Sequence, residues 1–186
     1  MCSSDLAGAL DSFGASRRAL TWSAGAAAQS LADRLPGVVT GQVAPELPAT
    51  TDLERVADDL WSLGLTTEAT AMELVRPALT ARGVTKANAL VGVEAKRVSV
   101  AGVVTHRQHP ETANGAVFVN LEDETGHVNV IFSKGAWARW SKVAGLASAL
   151  IVRGSLERGQ GIVTLVAEHV EALALGTTVP ASRDWH

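Results

Sequence analysis

Residues 118–132 read FVNLEDETGHVNVIF, two short alternating runs joined by an acidic turn. A strand has period two, so every second side chain shares a face. Val117, Val119 and Leu121 therefore form one face of the first run, and Phe118 and Asn120 the other. In the second run Val128 and Val130 are the inward partners, while His127, Asn129 and Ile131 face outward. An aromatic ring flanked by amides on an outward face is a surface suited to stacking on a base and meeting its edge. The alternative for Phe118 is packing under a neighbouring helix of the same chain.

Working outward, RVSVAGVVTHRQ before the hairpin reads as a strand, with Gly102 marking a bend or bulge. After it, SKGAWARWSKVAG reads as a short helix capped by Ser133. SALIVRGSLER and GIVTLVAEHVEAL then make two more strands, joined by a Gly159-Gln160-Gly161 turn. Three strands, a helix and two strands match the five-stranded OB-fold β-barrel, here over residues 96–173. The fold class is α+β, because the N-terminal part reads as helical. Ser16 precedes a run carrying Leu20 and Trp22, and Gly14 breaks what comes before. PGVVTGQVAPELP, from Pro36, reads as linker or strap. Thr51 and Glu54 fit a capping box for TDLERVADDLWSL. TTEATAME shows no periodicity and is expected to cross the surface. Pro77 then suits the first turn of a short helix closed by Gly83.

The chain has 186 residues, 47% hydrophobic and 19% charged, within the globular range. No apolar run approaches the roughly 18 residues of a membrane span. One cysteine, Cys2, excludes a disulfide framework and a cysteine-rich zinc site, so a cytoplasmic setting is expected. Net charge is −3, but Lys96 to Leu173 holds eight Lys/Arg against seven Asp/Glu. A polyanion site would be a local patch with strong salt dependence. Arg107, leading into the loop HRQHPETANG, is the first phosphate candidate. Arg97, Lys96 and Arg153 are expected to border the same groove, and Arg158 the hairpin tip, the alternative for each being a solvated surface charge. His106 and His109 have ligand-like spacing without a third donor, so no metal site is expected. Glu122, Asp123 and Glu124 read as turn residues rather than a metal cluster. Trp137 and Trp140 are expected to seal the barrel end. No nucleophile–base pair, phosphate-cradling glycine loop or catalytic carboxylate pair is present.

The barrel segments VSVAGVVTHRQ, GAVFVNLEDETGHVNVIF, LIVRGSLER and GIVTLVAEHVEAL resemble the nucleic-acid-binding OB domain of the anticodon-binding type. The same domain occurs near the C-terminus of bacterial C-family DNA polymerases. AGALDSFGASRRALTWSAGAAA resembles the end of their helix-hairpin-helix region, LGLTTEATAMELVRPALTARGV their connector, and the terminal SRDWH the close of the error-prone actinobacterial branch. Residues 7–35 are then the end of a helix-hairpin-helix module, 36–95 a linker with short helices, and 174–186 a tail. Residues 1–6, MCSSDL, look like translated sequencing adapter and are expected to be foreign.

The resemblance implies single-stranded template DNA as ligand of a damage-tolerant, error-prone DNA polymerase in replication and repair synthesis. Its catalytic palm and magnesium ions would lie outside this chain, leaving no cofactor here. It also implies a sliding clamp and companion mutagenesis proteins as partners. In relatives of the anticodon type the aromatic matching Phe118 stacks on a base, and an amide matching Asn129 reads a base edge. In a polymerase accepting any template, backbone or sugar contact is the expected use of Asn129, and Asn120 is equally a solvated strand residue. The rival readings are a free-standing or tRNA-synthetase-type OB module for RNA or single strands, and an OB domain that binds peptide.

Overall fold

The computed structural model describes residues 11–28, 44–63, 70–159, 162–175 and 183–185. The adapter-like start, the first part of the linker and the turn residues Gln160 and Gly161 lie outside these. Two compact units are present, Met1–Ala69 and Thr70–His186.

In the first unit α1 (Arg17–Ala28) and α2 (Asp52–Leu63) form where their caps predict. The Ser16 hydroxyl accepts from the Ala19 N–H at 3.3 Å. The Thr51 hydroxyl accepts from Glu54 N–H at 3.2 Å, while the Glu54 carboxylate accepts from Thr51 N–H at 2.8 Å. That backbone bond from Thr51 leads the interactions holding the Glu54 carboxyl below its ordinary range. Arg17 pairs with Asp59 at 3.1 Å and Arg18 with Glu54 at 2.8 Å, tying the two helices together.

The second unit opens with α3 (Ala71–Ala81), six residues earlier in the chain than Pro77 suggests. Thr70 and Glu73 make a reciprocal capping box at 3.2 and 2.6 Å, and Pro77 sits inside the helix. The expectation that TTEATAME is irregular is therefore corrected for its last residues. A capping box and the apolar spacing of Met72, Val75 and Leu79 outweigh the one hydrogen bond that an internal proline removes. Gly83, with φ +73°, follows the helix as expected. A two-residue strand β1 (Val84–Thr85) and a 3-10 segment (Ala87–Gly92) lead into the barrel.

The barrel strands are β2 (Arg97–Gln108), β3 (Val117–Asp123), β4 (Gly126–Phe132), β5 (Ala149–Gly159) and β6 (Ile162–Ala172). β2 pairs antiparallel with β3, β3 with β4, and β5 with β6; β4 runs parallel to β6. The cylinder closes because the first half of β2 also pairs with β5, Val100 opposite Val152. A strand serving two neighbours must bend. Gly102 permits this, since a Cβ there would sit 2.7 Å from the Glu122 carbonyl oxygen. The register irregularity itself comes later, between Val104 and His106. A short β7 (Arg183–Trp185) runs parallel to the last residues of β2.

Inward positions of all five strands make the core, with Leu121, Phe132, Leu150 and Leu165 fully buried. Between β4 and β5, α4 (Lys134–Leu146) starts at Ser133, whose hydroxyl accepts from Ala136 N–H at 3.2 Å. Trp137 and Trp140 pack from this helix against the core, as expected for a barrel plug. Trp137 meets Phe132 edge-on at 5.5 Å, and the Trp140 indole donates to the Glu168 carbonyl at 3.2 Å. Among the described residues no helix is long and apolar enough to cross a membrane.

Candidate nucleic-acid interface

The hairpin β3–β4 alternates as its sequence predicts. Val117, Val119, Leu121, Val128 and Val130 are buried, and Phe118, Asn120, Asn129 and Ile131 lie on the outer face. Strand pairing sets these outward residues in two rows across the barrel wall. One row runs Gln108, Phe118, Ile131; the next runs His106, Asn120, Asn129, Thr164. Together with Ile162, 57% exposed at the rim, they line an open groove of about 540 Å³. Phe118 is half-buried in its wall and contributes a face to the groove rather than plugging the interior. Asn129 is exposed, whereas the Asn120 amide oxygen is buried without a hydrogen-bond partner. Every described lining side chain is apolar or uncharged except His106, whose Nδ1 lies 3.1 Å from the Thr105 hydroxyl.

The expected phosphate-binding cations are elsewhere. Arg107 is only 5% exposed: its Nε donates to the Ala144 carbonyl at 2.8 Å and a terminal nitrogen to the Ala147 carbonyl at 2.6 Å. Strict alternation from Val98 to Val104 would turn position 106 inward and 107 outward. The irregularity at Thr105 adds one residue and reverses the faces, so Arg107 enters the barrel end and His106 the groove. There the guanidinium satisfies carbonyls at the C-terminus of α4, where a cation is favoured.

Arg97 pairs with Glu168 at 3.1 Å. Arg153 lines a separate depression of about 470 Å³ with Arg82, Glu168, His169 and Glu171. Two carboxylates there offset its cations. Arg158 donates to the carbonyls of Leu90 and Val93, fastening the 3-10 segment to β5. Lys96 is exposed next to the start of β2, at the end of the strand remote from His106 and Gln108. Of the eight expected contacts, the structure thus brings together Phe118, Asn120 and Asn129 and disperses the five cations. His106, Gln108, Ile162 and Thr164 were not singled out as groove residues. Alternation alone marks Ile162 and Thr164 as a pair on one face of β6, but only the barrel register shows that this face borders Asn129.

The acidic turn is structural, as its sequence suggests. Asp123 accepts from the Thr125 and Gly126 N–H groups at 2.7 and 3.1 Å, and its other oxygen from Ala87 N–H at 2.8 Å and Arg76 at 3.1 Å. Arg76 and Lys86 pair with Glu124 at 2.6 and 3.4 Å. Burial pushes the Glu124 carboxyl up, but hydrogen bonds from Arg76 and its own backbone outweigh that and bring it below its ordinary range. His109 does not join His106: it packs edge-on against Trp137 at 5.0 Å.

This topology and this outward face define an OB-fold domain, and residues 98–173 match the family described as an OB-fold nucleic acid binding domain of the tRNA anti-codon type. The chain as a whole is homologous to a C-terminal portion of error-prone DNA polymerases. It is 46% identical over 180 residues to the error-prone DNA polymerase of Mycobacterium tuberculosis, covering 96% of this chain and 16% of that protein. The enzyme of Cutibacterium acnes is 45% identical over 190 residues, covering 97% of this chain and again 16% of the relative. The chain therefore spans about a sixth of the curated relatives' length. Among solved structures, an asparaginyl-tRNA synthetase from Pyrococcus horikoshii aligns with a TM-score of 0.41 at 20% identity, over 48% of this chain and 22% of that one. A small single-stranded DNA binding protein from Mycoplasma pneumoniae aligns with a TM-score of 0.36 at 9% identity, over 41% and 92%.

Proposed function

We propose that residues 96–173 hold unpaired template DNA for an error-prone DNA polymerase acting in replication and translesion repair synthesis. The observation that carries this reading is the pair of rows across β2, β3, β4 and β6: an aromatic face beside a line of amides, on a chain 46% identical to such polymerases. Phe118 supplies a stacking face, and Asn120 and Asn129 supply donors and acceptors. Catalysis, with its magnesium ions, belongs to parts of the polymerase that this chain does not contain, and the setting is cytoplasmic. A sliding clamp and companion mutagenesis proteins are the further partners of this reading.

Fluorescence anisotropy of labelled oligo-dT with the full chain tests it. Saturable binding that weakens in Phe118→Ala supports the proposal, and its absence at low salt refutes it. Preference for RNA of equal length would favour the tRNA-synthetase-type alternative.

A further inference from the structure

The cations expected at the groove account for five of the eight Lys/Arg between Lys96 and Leu173. The other three, Lys134, Arg139 and Lys142, all lie on α4, a helix without a single Asp or Glu. Trp137, Trp140 and Ala144 mark the side of α4 that meets the barrel. At 3.6 residues per turn the three cations fall on the far side. All three are exposed, and no ion pair joins any of them to a described carboxylate. Arg139 and Lys142 are neighbours of like charge, and Lys134 sits in the first turn, where the helix dipole is already positive. Both arrangements cost stability unless an anion meets them.

The groove leads toward this helix. Beyond the row His106, Asn120, Asn129 comes the row Gln108, Phe118, Ile131, after which β4 ends at Phe132 and Ser133 caps α4. There a depression of about 590 Å³ takes over, lined by His109, Glu111, Gly115, Lys134, Trp137 and Ala138. Glu111 is the one carboxylate among its described lining residues. The Lys134 stem lies over Gly115, where a Cβ would stand 3.3 Å from it. Ala138 stands one turn after Lys134 and one turn before Lys142, so the depression opens onto the cationic face. At the groove itself the register of β7 sets Arg183 beside His106, one cation position at the β2 edge.

We propose that the outward face of α4 is a phosphate-binding strip for the part of a single strand that has left the groove. The ligand class is the phosphodiester backbone, contacted without regard to base. Lys134 to Lys142 spans about 12 Å, roughly three nucleotides of a stacked strand. The strip is a second site outside the groove, and it rests on the single-strand reading above for the path of the strand.

Anisotropy titrations of the full chain test it with two oligo-dT lengths: about five nucleotides, which occupy the groove alone, and about sixteen, which also reach α4. The triple variant Lys134→Gln, Arg139→Gln, Lys142→Gln is expected to weaken the longer strand by about tenfold to a hundredfold at low salt and to leave the shorter one unchanged. For the longer strand, the slope of log affinity against log salt is expected to fall by about 2, three phosphates at roughly 0.7 each. Ala138→Glu, which sets a carboxylate between Lys134 and Lys142, is expected to weaken the longer strand alone and serves should the triple variant fail to fold. Equal weakening of both lengths, or an unchanged slope, overturns the proposal while leaving binding in the groove intact. So does a longer strand that is unaffected while capture of a poly-glutamate peptide is lost, which would give the face to an acidic protein. Failure of either oligo-dT to bind the parent chain removes the single-strand reading itself.

Discussion

Position 107 shows how one inserted residue changes the role of a side chain. With Thr105 out of register, a guanidinium that alternation sends to solvent becomes a bridge between the end of β2 and two carbonyls of α4. Arg107→Ala strands both carbonyls and is expected to cost about 1.5–3 kcal/mol in urea unfolding, the range of hydrogen bonds to charged groups. The folded fraction should keep its affinity for oligo-dT, because the side chain is absent from the groove. Phe118→Ala should do the opposite: a loss of roughly 1–3 kcal/mol in oligo-dT binding, with little change in the urea midpoint, since the ring is half-exposed. Phe118, Asn120 and Asn129 were legible in the sequence because their strands alternate without interruption. The arginines were not, because nothing local tells an irregularity at Thr105 from one at Gly102, and the partners of Arg97 and Arg158 are distant in the chain.

Among elements, the least legible is α3, whose sequence holds two signals that disagree. Thr70 and Glu73 announce a start, Pro77 announces a later one, and the capping box wins. The helix then anchors the turn of the β3–β4 hairpin through Arg76, which is 8% exposed between Asp123 and Glu124. Arg76→Ala leaves the buried Asp123 without its cation and Glu124 with Lys86 alone, and is expected to cost about 3 kcal/mol, read as earlier hydrogen exchange of residues 71–92. Acid acts on the same contact. The Glu124 carboxyl is lowered by folding, so its stabilisation is complete above the unfolded carboxylate range and is lost as pH falls through the folded value. Amide exchange in α3 should therefore accelerate on acidification, and Glu124→Gln should flatten that dependence. At the β5–β6 crossing, a Cβ on Gly154 would stand 1.9 Å from the Val166 carbonyl oxygen. Gly154→Ala is thus expected to lower the melting temperature far more than Gly135→Ala on α4, where a Cβ meets nothing.

For the molecule as a whole, strand order and the position of the helix were readable from the chain, because period-two runs and their caps are local. Closure was not: that β2 reaches both β3 and β5 is a property of the assembled cylinder. Among the described residues the core cluster is built from those after Thr70, running from Ala87 to Val170. A chain beginning at Thr70 is therefore expected to melt cooperatively and to bind oligo-dT as tightly as the full 186 residues. Circular dichroism melting and anisotropy check this; a molten, non-cooperative product would show that Met1–Ala69 is needed for folding.

The double pairing of β2 also bears on how such a protein is born. During synthesis Val100 leaves the ribosome long before Val152, the residue it must sit beside. Until then half of an apolar strand has an unsatisfied edge, a state that invites pairing with the wrong chain. Refolding governed by that late, long-range closure belongs with slow, topologically demanding β proteins rather than with fast local folders.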